Sequence, residues 1–144
     1  MKSKLIISFL IIIQVFFNTS SIGEEFEFNS SEIEILEKGN LIKAKGGVEV
    51  ISKDGLSLKG KESIYNKEKS ILKVIDQVFI NDKNNNITIN SEEIIYDNKK
   101  QIISSIKVND QTIINDKNNN IIIKADEIIY DNKKQIISSI KVND

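Results

Sequence analysis

The chain has 144 residues, 20 lysines with no arginine, 21 acidic residues and a net charge of −1, and it lacks cysteine, histidine, proline and tryptophan. That composition rules out disulfides, thiolate or imidazole chemistry and the usual zinc ligands. With no arginine and no basic aromatic surface, it also lacks the usual means of gripping nucleic acid.

Residues 1–23 read as an export leader. Lys2 and Lys4 precede a run, 5–17, that is apolar except for Ser8 and Gln14. The run is shorter than the roughly 20 residues a membrane-spanning helix needs. Ser21-Ile22-Gly23 then sets small side chains where a leader is cut, before Glu24. The expected organisation is a signal peptide over 1–23 and one β domain over 24–144, enough chain for a modest core.

The mature part reads as strand after strand. Phe26 and Phe28 alternate with glutamates, as do Ile33 and Ile35, the pattern of a half-buried strand. After a turn at Gly39-Asn40, one face carries Ile42, Ala44, Gly46, Val48 and Val50, and the other carries Lys43, Lys45 and Glu49. Lys53-Asp54-Gly55 is a tight-turn signal, because glycine accepts positive φ without steric cost. Leu56 and Leu58 follow in alternation, then turns beginning at Tyr65, Asn81, Tyr96, Asn115 and Tyr130. Val78 and Ile80, Ile87 and Ile89, and Ile121 and Ile123 complete the inward aliphatic set, with Phe79 facing partly outward.

The second half repeats itself. Residues 76–110 recur as 110–144 with a period of 34 (116 − 82), and from Asp82 onward the copies differ only at Thr88/Ile122, Asn90/Lys124, Ser91/Ala125 and Glu92/Asp126. A helical repeat of that length would need apolar residues every three or four positions. Here β-branched residues sit in short clusters between polar turns, so the unit is β.

Two patterns suggest chemistry and fail on geometry. Asp82, Asn84 and Asn86, with Glu93 in the twelfth place, open like a calcium loop, and Asp116, Asn118, Asn120 and Glu127 repeat them. The sixth place needs glycine and holds Ile87 or Ile121, so a hairpin turn is the expectation. Glu92-Glu93 and Asp126-Glu127 are adjacent strand residues that point to opposite faces and cannot converge on a substrate. No catalytic residue, metal site or cofactor is expected.

Read together, FEFNSSEIEIL, LIKAKGGVEVIS-KDGLSLKGKESIYN and the segments ending SEEIIYD and ADEIIYD resemble the OstA-like family of lipopolysaccharide-transport proteins, LptA and the N-terminal domain of LptD. Gly47-Val48-Glu49-Val50 matches the family's strand motif, although the usual asparagine is a glycine here. Residues 61–66, 91–97 and 125–131 match its tyrosine-bearing segment. The resemblance implies an open β-jellyroll of short stacked antiparallel strands with an aliphatic groove for acyl chains. It also implies a periplasmic location with access to the outer membrane, and edge-to-edge β-augmentation with other Lpt proteins or a second copy. The missing barrel leaves an LptA-like protein or part of an LptD-like chain as alternatives. On this reading Ile33, Ile35, Ile42, Val48, Val50, Leu56, Leu58, Val78, Ile80, Ile87, Ile89, Ile121 and Ile123 line the groove. The competing expectations are a secreted structural or adhesive β-repeat protein without a lipid ligand, and an anchored LptC-like partner, which the short apolar run disfavours.

Overall fold

Apolar alternation and polar turns assemble into ten antiparallel strands. The computed structural model describes residues 25–106 and 111–140, and the expected leader lies outside them. The strands are β1 (Phe26–Leu36), β2 (Leu41–Ser52), β3 (Leu56–Asn66), β4 (Ile71–Asp82), β5 (Ile87–Asp97), β6 (Ile102–Ile106), β7 (Thr112–Asp116), β8 (Ile121–Ala125), β9 (Glu127–Asp131) and β10 (Ile136–Ile140). They form one open sheet in the order β1-β2-β3-β4-β5-β6-β9-β10, with β7 joining β5 to β8.

The first five strands are 11 or 12 residues long. Runs that alternate separately in the sequence, such as Phe26/Phe28 and Ile33/Ile35, are the two halves of one strand. Between the halves the pairing register shifts, at Ser30/Glu32, Lys45/Val48, Lys59/Glu62 and Ile75/Val78. These shifts line up across the sheet, and each long strand folds over there, so its halves belong to two facing layers. After β5 the layers part in sequence: its 93–97 half pairs with β6 and its 87–90 half with β7. The first layer holds 32–36, 41–45, 62–66, 71–75, 93–97, β6, β9 and β10. The second holds 26–30, 48–52, 56–60, 78–82, 87–91, β7 and β8.

Left-handed backbone conformations occur at the bend as well as in the turns. Gly46 and Gly47 have φ of 78° and 83°, and at the corresponding place in β4 Asp76 and Gln77 have φ of 66° and 54°. A Cβ on Gly46 would also run into the Ser31 side chain, and one on Gly60 would meet Val74 Cγ1 at 2.6 Å. Both glycines let neighbouring strands approach closely. Each 34-residue copy contributes two strand positions to each layer.

Candidate functional site

Directly opposed residues of an antiparallel pair project to the same side, so the register defines two apolar ladders that face each other. In the first layer the ladder runs Ile35, Ile42, Tyr65, Leu72, Tyr96, Ile103, Tyr130, Ile137. In the second it runs Phe28, Val50, Leu58, Ile80, Ile89, Ile114, Ile123. Aromatic edges join the layers at one end: the Phe26 ring centroid lies 4.9 Å from that of Tyr65 and 6.0 Å from that of Tyr96.

The thirteen expected lining residues divide by place. Ile42, Val48, Val50, Leu56, Leu58, Val78, Ile80, Ile87 and Ile89 are packed between the layers, each 3% exposed or less. Ile35 is 53% exposed and Ile121 47%, Ile33 is also exposed, and Ile123 is only partly buried against the core. The four share the inner faces, since Ile33 and Ile35 oppose buried Ala44 and Ile42, and Ile123 opposes buried Ile114. They are uncovered because the layers are staggered. Phe26 of β1 meets Tyr65 of β3, and Tyr130 of β9 meets Asp82 of β4. The first layer therefore overhangs at β1 and the second at β8. The thirteen residues therefore differ in cover: nine are packed between the layers in the middle, and the four at the two ends are not. Phe79 is partly outward, at 37%.

The side opposite the bends is polar. First-layer strands end in the turns 37–40, 67–70, 98–101 and 132–135, second-layer strands in 53–55, 83–86 and 117–120. Each row is stitched by backbone bonds, with Asn98 N donating to Ser70 O at 3.0 Å, Asn132 N to Gln101 O at 2.9 Å and Lys117 N to Asn86 O at 3.1 Å. Other bonds join one row to the other. Asn85 Nδ2 donates to Asn132 Oδ1 at 2.8 Å, and Gln135 Nε2 to Asn85 Oδ1 at 2.7 Å. Tyr130 donates to Asp82 Oδ2 at 3.0 Å, Tyr65 to Glu25, and Asn98 Nδ2 to the same Glu25 carboxylate at 3.1 Å.

The calcium-like residues serve this seam. Asp82 accepts from Asn85 N at 3.1 Å and Asn85 Nδ2 at 2.7 Å, and Asp116 accepts from Asn119 in the same way. The Asn119 amide, with backbone N–H donors, holds the Asp116 carboxyl below the usual carboxylate range. Glu93 is ion-paired to Lys73 at 2.8 Å. All three tyrosines are pushed well above the ordinary phenol range. Burial is the main cause, reinforced by Glu25 at Tyr65, Asp54 at Tyr96 and Asp82 at Tyr130.

The sequence marks the tyrosines only as part of a motif; in the structure all three are core residues, and Tyr65 and Tyr130 donate their hydroxyls to carboxylates. Their spacing was the available signal. Tyr65, Tyr96 and Tyr130 each close a strand just before a polar turn, 31 and 34 positions apart (96 − 65, 130 − 96).

No protein-family model and no curated protein sequence matches the chain. Among solved structures, it is similar to LptH from Pseudomonas aeruginosa, the LptA homologous periplasmic component of the lipopolysaccharide transport device. The TM-score is 0.69 over 81% of this chain and 82% of that one, at 16% identity. At that identity the likeness establishes architecture: this chain has the all-β, open antiparallel fold of an LptA-like β-jellyroll.

Proposed function

We propose that the chain is a periplasmic lipopolysaccharide-binding component, exported by a leader over 1–23, whose 24–144 domain carries acyl chains between its two layers toward the outer membrane. The observation that carries this reading is the pair of facing apolar ladders, uncovered at opposite ends, on a fold shared with LptH. An acyl chain entering at Ile33 and Ile35 or at Ile121 and Ile123 is stabilised by about 0.8 kcal/mol per buried CH₂. Further in, the layers separate and the chain replaces the contacts of the facing layer, so successive positions are similar in energy and the lipid can move along the ladders. Each 34-residue copy lengthens this path by about 10 Å, two strand spacings. The outer strands, β1 at one end and β8 and β10 at the other, are the edges for β-augmentation with other Lpt proteins or a second copy. Nothing in this reading requires an enzyme.

A structural β-repeat protein without a ligand is the second reading, and the packed middle of the interior favours it. Purified chain mixed with lipopolysaccharide separates the two. The carrier reading expects co-migration and a saturable rise in melting temperature, as for any ligand that binds only the folded state. A folded protein showing neither is the structural one.

A further inference from the structure

Tyr65, Tyr96 and Tyr130 stand in one ladder, and the outer two donate their hydroxyls to the carboxylates of Glu25 and Asp82. Tyr96, between them, is fully buried, and its hydroxyl has no hydrogen-bond partner among the described residues. Asp54, whose charge bears on the phenol, is bonded to the Ser52 hydroxyl, which in turn accepts from Leu56 N at 3.1 Å. Gln101 stands close enough to act on the phenol, but its amide nitrogen is engaged elsewhere, donating to Asn98 O at 2.9 Å and Asn98 Oδ1 at 3.2 Å, and it makes no hydrogen bond of acceptable geometry to Tyr96 Oη. An orphaned buried donor, flanked by two engaged ones, requires an explanation.

We propose that Tyr96 Oη donates a hydrogen bond to the carbonyl oxygen of a neutral acyl ester or amide held between the layers. This rests on the acyl-carrier reading above and adds the point at which the polar end of the chain is fixed. The surroundings select the chemistry. Leu72 and Ile103 flank Tyr96 on the ladder and favour an aliphatic tail. The charges of Asp54, Asp82 and Asp97 bear on the phenol and disfavour a free carboxylate or phosphate in the same place. A neutral carbonyl accepts the bond without adding charge.

The test compares wild type with Tyr96→Phe, using displacement of a fluorescent apolar dye by methyl laurate and by dodecyltrimethylammonium, which has the tail without an acceptor. The expected result is affinity for methyl laurate about fivefold weaker in the variant, the factor for one neutral hydrogen bond. Dodecyltrimethylammonium should bind both proteins alike, and the variant should melt no lower than wild type. Equal methyl laurate affinity in the two proteins would overturn the anchor and leave the carrier reading standing, with water serving the hydroxyl. A lower melting temperature in the variant would also overturn it, because the hydroxyl would then have a partner in the free protein. Failure of wild type to bind either probe would remove the carrier reading and this inference with it.

Discussion

Tyr130 and Asp82 lie 48 residues apart in sequence and 3.0 Å apart in space, joined by a hydrogen bond that runs from one layer to the other. Both are buried. The phenol thus helps to tie the layers together on the side opposite the bends.

Removing the Tyr130 hydroxyl should be costly where removing the Tyr96 hydroxyl is not. Tyr130→Phe leaves Asp82 with the Asn85 donors but one partner fewer in a buried site, a loss of about 1–2 kcal/mol. Tyr96→Phe removes a hydroxyl that has no hydrogen-bond partner among the described residues and should be neutral or slightly stabilising. Urea denaturation of the two variants measures the difference.

The tyrosines also predict an alkaline limit. An unfolded phenol titrates at about 10, and all three folded phenols lie above that. Their contribution is therefore complete below the unfolded value and is lost as pH rises through and beyond it. The chain has three tyrosines and no tryptophan, so phenolate absorbance follows these side chains alone. It should appear together with the loss of β-sheet circular dichroism, rather than before it.

At acid pH the sign reverses. Burial works to raise Asp97, but the Lys100 backbone N–H and side chain more than offset it, while Asp131 is lowered first by the Lys134 backbone N–H. With Asp116, these turn carboxylates stabilise the fold above the ordinary carboxylate pKa, and that contribution disappears as pH falls through their depressed values. Asp116→Asn should flatten the acid limb of a stability–pH curve.

The bends give a fourth expectation. Gln77 holds φ of 54° without being glycine, so Gln77→Gly relieves strain and should be neutral to stabilising by up to about 1 kcal/mol. Gly46→Ala combines positive φ with a collision against Ser31 and should destabilise by roughly 2 kcal/mol or more. Thermal melts should place Gly46→Ala well below wild type and Gln77→Gly no lower than wild type.

Local pattern made much of the fold legible. The alternation of Leu56 and Leu58, the turn at Lys53-Asp54-Gly55 and the repeat period each follow from neighbours in sequence. Coverage does not. Ile35 alternates as regularly as Val50, yet one is 53% exposed and the other fully buried, because the stagger of the layers is set by contacts such as Tyr130–Asp82 between distant strands. Leu72, Ile103 and Ile114 join the core for the same reason. Fusion of two short runs into one bent strand was hidden too, since the register shift at Ser30/Glu32 is a property of the pair β1–β2.

The carrier reading is tested most directly by photo-crosslinking to lipopolysaccharide from a probe at Ile35, compared with one at Glu34. Ile35 lies on the inner face at the open end, and Glu34, opposite Lys43, lies on the outer face. Crosslinks from Ile35 and none from Glu34 are the expected outcome. Equal crosslinking from both, or silence at both in a folded protein, would contradict a lipid path between the layers.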